Sequence, residues 1–215
     1  MKNSETIFII DDDKSVRRSL SLFLQSSGYQ VETYESAEEF LETEKFDGVG
    51  CIILDVNMSG KSGLELQEEL IKTGWDLPII FITGKGNIQM SVNAVKKGAV
   101  NFLEKPFGDE DILHAISEAI QLSGEKHTQM IEKTEAQNLI KMLTPRELEI
   151  INFLPTGLLN KQIAGELGLS VKTVEKHRQS VMKKLDIHDI AGLVRHAVSK
   201  GIIEMNMAGV PSSMQ

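Results

Sequence analysis

Only one cysteine, Cys51, occurs in the 215 residues, so no disulfide can form within the chain. Cys51 lies in an apolar run, where a small buried thiol is the expected role. No apolar run approaches the roughly 20 residues that a membrane-spanning helix needs. No leader pattern of basic and then apolar residues precedes the first strand, because Met1 to Glu5 run straight into it. An overall basic charge is absent too, the net charge being −8. With 41% hydrophobic and 25% charged residues, the expectation is a soluble globular protein at a cytoplasmic address, without a membrane partner.

The charge is unevenly spread. Residues 1–140 carry 13 Lys+Arg and 24 Asp+Glu, a net of −11, whereas residues 141–215 carry 10 and 7, a net of +3. An acidic front and a basic rear point to two domains with different partners. The rear is the candidate for nucleic acid, because phosphate neutralisation dominates that affinity.

Front and rear also differ in pattern. Strands are expected at 6–11, 29–34, 50–55, 77–82 and 100–104, with helices near 14–27, 36–45, 62–73, 87–98 and 109–122. Such alternation predicts an α/β fold, a (βα)5 doubly wound parallel sheet, over residues 1–122. Gly28, Gly74 and Gly98 stand where helices should stop. Ser36 and Glu39 have capping-box spacing. Residues 123–141 are polar and weakly helical, and read as a linker, either a continuation of the preceding helix or a flexible tether. A small all-α domain follows over 142–204, with helices at 145–154, 160–167, 171–185 and 189–200. Thr144-Pro145-Arg146-Glu147 supplies an N-cap, a first-position Pro and a third-position Glu. Residues 160–185 have the outline of a helix-turn-helix. Pro155 should shorten the helix before it. The tail, 205–215, is expected to be disordered.

Unbroken apolar strands are buried on both faces, as in parallel sheets. Ligands bind beyond the carboxyl ends of such strands. Thr6-Ile7-Phe8-Ile9-Ile10 ends in Asp11-Asp12-Asp13, and Ile52-Ile53-Leu54 ends in Asp55. Thr83 and Lys105 close two further strands. Clustered carboxylates repel one another and favour a divalent cation with oxygen ligands. Any one of these residues alone reads as a solvated loop, a helix cap or a surface charge. Four strand ends that together supply carboxylates, a hydroxyl and an ammonium predict a phosphoryl site. Asp55 can attack phosphorus, a metal neutralises the oxygens, and Thr83 and Lys105 hold the rest. Gly84 leaves room beside Thr83. A cis bond at Lys105-Pro106 would aim the lysine inward, although cis is seen at only about 5–6% of X–Pro bonds.

Residues 6–122 resemble the receiver domain of two-component response regulators. The carriers are Ile9-Ile10-Asp11-Asp12-Asp13, Leu54-Asp55, Ile82-Thr83-Gly84 and Phe102-Leu103-Glu104-Lys105-Pro106-Phe107. The resemblance implies that Asp55 is the phosphoacceptor, that Asp11, Asp12, Asp55 and the Asn57 backbone carbonyl bind Mg2+ or Mn2+, and that Thr83 and Lys105 contact the phosphoryl group. It implies an aromatic switch at Phe102, which on sequence alone reads as a plain core residue. One position departs from the family. Ser59 stands where a Pro usually follows the Met of the loop, which puts the loop's stiffness and the phosphoryl lifetime in question. Asn57 and Lys85 are expected to set that lifetime as well.

Residues 143–200 resemble the helix-turn-helix domain of the LuxR/FixJ/NarL regulators, and the front half is closest in type to the FixJ branch. The carriers are Leu143-Thr144-Pro145-Arg146-Glu147, Gly157-Leu158-Leu159-Asn160-Lys161-Gln162-Ile163-Ala164 and Thr173-Val174-Glu175-Lys176-His177-Arg178. Val174, Val181, Met182 and Leu185 form a core stripe, opposite Lys172, Lys176, Gln179 and Lys183. Such a face suits a recognition helix. Lys176 and Gln179 are the candidates for guanine and adenine edges. Glu175 is assigned either to a cytosine amine or to rejecting wrong sequences. Lys161, Lys172, Thr173, His177, Arg178 and Lys183 are assigned to phosphates. The last helix, 189–200, would be the dimer contact on a two-fold site.

These readings combine into a DNA-binding response regulator. A sensor histidine kinase phosphorylates Asp55, and the chain dimerises and regulates transcription, most simply as an activator that meets RNA polymerase. It would be no enzyme beyond Mg2+-dependent self-phosphorylation and autodephosphorylation. A phosphohydrolase of the haloacid dehalogenase type would need a second Asp where Asn57 stands. A LuxR-type small-molecule sensor would need an apolar pocket in place of the strand-end acids.

Overall fold

The computed structural model describes residues 5–84, 98–153 and 158–185, with the side chains of Ala136, Leu139 and Ile140 excepted. Lys85, most of the expected helix 87–98, Pro155, the helix 189–200 and the tail lie outside the described residues. The chain divides into two compact units, Met1–Thr128 and Gln129–Gln215.

From the N-terminus the elements run β1 (Thr6–Ile10), α1 (Lys14–Ser26), β2 (Gln30–Tyr34), α2 (Ala37–Leu41), β3 (Gly50–Asp55), α3 (Gly63–Thr73), β4 (Ile79–Thr83), β5 (Asn101–Glu104) and α4 (Asp109–Met142), whose residues up to Thr128 belong to the first unit. The five strands are all parallel, in the order β2-β1-β3-β4-β5. The sequence explains the order. β1, β3 and β4 are apolar at nearly every position and fully buried, so they take the centre, while β2 (Gln-Val-Glu-Thr-Tyr) is partly exposed at an edge. Alternate residues feed opposite faces. Phe8, Ile10, Ile52, Leu54 and Phe81 pack with Phe40 of α2 and with Leu66 and Leu70 of α3. Ile7, Ile9, Cys51, Ile53, Ile80 and Ile82 pack with Leu20 and Leu24 of α1 and with Ile112, Ala115, Ile116 and Ala119 of α4.

Helix ends follow local chemistry. Asp13 caps α1 by accepting the N–H groups of Ser15 and Val16. Ser62 and Glu65 form a complete capping box on α3, which ends at Gly74 with φ 71°, a left-handed conformation that glycine adopts at little cost. Ser36 accepts from Glu39 N–H, but the Glu39 carboxylate takes the N–H of Glu35, so the expected box is only half formed. α2 is shorter than the expected 36–45. Thr43 follows its last turn, and both the Thr43 hydroxyl and the Thr43 N–H donate to the Phe40 carbonyl, which closes the turn. Segment 123–141 lies wholly within α4, a single helix of 34 residues.

In the second unit α5 (Pro145–Asn152), α6 (Asn160–Leu167) and α7 (Val171–Lys184) share a core of Ile150, Ile163, Ala164 and Val174. α7 packs against both α5 and α6. The turn from α6 to α7 passes through Gly168 at φ 63° and into the N-cap Ser170. Arg146 of α5 donates to the Leu167 carbonyl at 2.9 Å and thereby caps the end of α6.

Candidate functional site

Because the strands are parallel, their carboxyl ends meet on one edge. Asp11 and Asp12 follow β1, Asp55 ends β3, Thr83 ends β4 and Lys105 follows β5. Asp11, Asp55 and Thr83 are buried there, and Asp12 is exposed. One carboxylate oxygen from each of Asp11, Asp12 and Asp55 lies within 4.8 Å of the others. Lys105 Nζ bridges two of these acids, donating to Asp11 Oδ2 at 2.7 Å and to Asp55 Oδ1 at 3.0 Å. The Lys105–Pro106 peptide is cis. The Lys105 N–H donates to the Thr83 carbonyl at 2.7 Å, which fixes the neighbouring strand end.

The electrostatics match a site short of positive charge. Burial pushes the Asp55 carboxyl above its ordinary range; the Lys105 hydrogen bond and charge oppose this, and the charge of Asp11 adds to it. Burial alone would lower the Lys105 ammonium, but its hydrogen bonds to Asp11 and Asp55 outweigh it and hold the group protonated above its usual value. The Ser59 N–H lowers the Asp12 carboxyl. The donor set is oxygen only and carries three formal negative charges against one lysine. It therefore fits a small hard divalent cation rather than a soft one.

Some side chains there do more than their sequence positions foretold. Asn57 donates through its N–H to Asp55 Oδ2 at 3.1 Å, and through its amide Nδ2 to Thr83 Oγ1 at 2.9 Å. Asp13 is spent on capping α1 and on its N–H bond to Asp11 Oδ1. Its place before a helix was the available signal. Arg17 donates to the Asp11 carbonyl at 2.6 Å. Gly63 is required by close approach, because a Cβ there would stand 2.2 Å from the Asp55 carbonyl oxygen. Among the described residues, a Cβ at Gly84 would meet nothing within 4 Å. Phe102 is half-buried on the sheet face that carries α2 and α3, with its ring centroid 6.2 Å from that of Phe81.

In the second unit, Lys172, Glu175, Lys176, Gln179 and Lys183 of α7 are all exposed, and Lys161 is exposed on α6. The face opposite is buried at Val174 and Val181, and Leu185 is buried just beyond the helix. Three of the residues assigned to phosphates are less free. Thr173 pairs its hydroxyl with the N-cap Ser170 at 2.8 Å, and His177 is half-buried. Arg178 is half-buried and donates to Asn160 Oδ1 of α6, while Asn160 reaches Glu175 at 3.5 Å. Burial lowers the Arg178 guanidinium. Arg178 thus ties the two helices of the motif together, a role that its charge alone did not reveal.

A parallel sheet with an acid cluster at its carboxyl edge, followed by a helix-turn-helix, defines a signal receiver joined to a nucleic-acid reader. Comparison with known proteins places the chain within that class. Residues 7–117 match the response regulator receiver domain, and residues 141–197 match the bacterial regulatory proteins of the luxR family. The transcriptional regulatory protein TdiR of Thauera aromatica is 42% identical over 199 residues, which cover 93% of this chain and 87% of TdiR. The transcriptional regulatory protein FixJ of Azorhizobium caulinodans is 41% identical over 202 residues, or 94% of this chain and 96% of FixJ. The solved structure of response regulator StyR superposes with a TM-score of 0.83 at 42% identity, covering 90% of this chain and 98% of that one. The chain therefore belongs to the two-component response regulators, as a DNA-binding transcriptional regulator with a receiver domain and a LuxR-type helix-turn-helix domain. Receivers of this kind bind Mg2+ at an acidic aspartate cluster and are partnered by sensor kinases. Among the described residues, no helix is long and apolar enough to cross a membrane.

Proposed function

We propose that Asp55 accepts a phosphoryl group from a phosphohistidine of a sensor histidine kinase, and that this raises the affinity of the second unit for DNA. The observation that carries the reading is Lys105, which bridges buried Asp11 and Asp55 next to Asp12. An oxygen of Asp55 attacks phosphorus, the P–N bond breaks, and the imidazole leaves with the bonding pair and takes up a proton. Asp11, Asp12, Asp55 and the Asn57 carbonyl would hold Mg2+ or Mn2+, which would supply charge neutralisation on the transferred oxygens. Lys105 then exchanges its Asp55 contact for a phosphoryl oxygen, and Thr83 leaves Asn57 to donate to another.

The modification adds about −1.5 to −2 charges at one strand end. Movement of Thr83 vacates space beside β4 and β5, and Phe102 turns into it. The resulting surface supports a homodimer, which presents two copies of α7 to a two-fold DNA site. Lys176 and Gln179 read base edges, Glu175 sharpens the choice, and Lys161, Lys172 and Lys183 hold phosphates, with Thr173, His177 and Arg178 at the margin of that contact. Bound near a promoter in the cytoplasm, the dimer activates transcription by contacting RNA polymerase.

The test is intact mass after incubation with acetyl phosphate and Mg2+, wild type beside Asp55→Asn. The expected result is one phosphoryl-sized gain in wild type, lost in the variant and without Mg2+. No gain in wild type, together with no uptake of beryllofluoride, overturns the reading.

A further inference from the structure

The loop between β3 and α3 carries Ser59 where the resembling receivers usually carry proline. Proline fixes φ and has no N–H to donate. Here hydrogen bonds tie the loop instead. The Ser59 N–H donates to Asp12 Oδ2 at 2.9 Å, and the Ser59 hydroxyl is paired with the same oxygen at 3.0 Å. Further along, the Lys61 N–H donates to Glu38 Oε1 at 3.3 Å, and the Gly63 N–H to the Val56 carbonyl at 3.1 Å. Asp12 needs such help more than its neighbours. Asp11 is buried and held by Lys105 and by the Asp13 N–H, and Asp55 is buried and held by Lys105 and the Asn57 N–H. Asp12 is exposed, and both Ser59 donors reach it across 47 residues of sequence.

We propose that Ser59 is a positioning residue for the cation site: its two donors fix the Asp12 carboxylate beside Asp11 and Asp55 before any ion arrives. The inference rests on the reading of those three acids as a divalent-cation site. An exposed aspartate that is free to rotate must be ordered when it ligates an ion, and prior ordering removes that cost. Partners that hold a ligating carboxylate change metal affinity by roughly 10- to 100-fold. Ser59 lies at the exposed rim, so its effect falls at the lower end. Two donors on one oxygen also leave the other carboxylate oxygen for the ion, and they join the loop after Asp55 to the end of β1.

The test is titration of the full-length chain with Mn2+, reading free ion by electron paramagnetic resonance, with unfolding midpoints recorded for each variant. Ser59→Ala keeps the N–H and should weaken binding by about 5- to 10-fold. Ser59→Thr keeps both donors and should stay within about two-fold of wild type. Ser59→Pro stiffens the loop but removes both donors, and should bind more weakly than Ser59→Ala. Wild-type affinity in Ser59→Ala overturns the proposal, as does wild-type affinity in Ser59→Pro, since loop stiffness would then suffice. Asp12→Asn separates the two readings. If it binds as wild type does, the cation site itself fails and the proposal falls with it. If it loses the ion while Ser59→Ala does not, only the role of Ser59 fails.

Discussion

Two buried carboxylates, one in each unit, have opposite fates. Asp55 sits at a strand end with Lys105 and the Asn57 N–H as donors and with Asp11 close by, and burial drives its proton affinity up. Glu147, at 3% exposure, is also penalised by burial, but it accepts from Lys184, Ser180 and both the N–H and hydroxyl of Thr144, which together bring it down to about 2. The donors around Asp55 do not offset its burial, whereas those around Glu147 do. A buried carboxylate whose partners fall short is poised to take a cation or a phosphoryl group, while one whose partners suffice holds helices together. Glu147 joins the start of α5 to the end of α7, so α7 is anchored by an ion pair at its last turn.

The same chemical change should therefore act with opposite sign at the two sites. The largest effect is expected for Glu147→Gln, which removes the charge that Lys184 pairs with, leaves Lys184 only the Met142 carbonyl as a strong acceptor, and should cost about 2–3 kcal/mol in denaturant unfolding of the second unit. The difference between wild type and this variant should depend on pH. Because the folded value of about 2 lies below the ordinary 4.5, the stabilisation is complete above about pH 5 and is lost as pH falls toward 2. A gap that stays constant across that window would break the contrast. Lys176→Ala should weaken binding to a specific site by about 1–2 kcal/mol in a titration, and Lys172→Ala should reduce the salt slope by about 1. Equal sequence discrimination in both variants would show that α7 contributes charge alone. Asp55→Asn should leave the metal-free receiver unchanged or stabilise it by less than about 1 kcal/mol, discounted for the water near the site. If it destabilises as much as Glu147→Gln, the two acids are alike after all. The smallest effect is expected for Asn57→Ala, about 0.5 kcal/mol from the bond to Thr83, read as a lower melting midpoint.

Much of this arrangement was legible in the residues. Apolar runs that end in acids located β1, β3 and the carboxyl edge, because burial on both faces and ligand binding at strand ends leave a direct mark on residue type. Thr144 and Glu147 announced the start of α5. What escaped were cross-chain partners. Nothing in the spacing of Ser59 and Asp12, of Asn57 and Thr83, or of Glu147, Ser180 and Lys184 marks them as neighbours, since tertiary folding brings them together. β4 begins at Ile79 rather than at 77, because Pro78 offers no N–H and enters the sheet only through its carbonyl, which accepts from Ile52. The charge of Arg178 is visible in the sequence, whereas its contact with Asn160 is not.

The lone thiol has a practical consequence. Cys51 is fully buried in the central strand, and burial raises its pKa to about 12, so almost none of it is the reactive thiolate at neutral pH. A second cysteine placed on the exposed face of α7 would then be the one sulfur that a maleimide finds. The chain can accept a fluorescent or spin label at a chosen point without first being made cysteine-free.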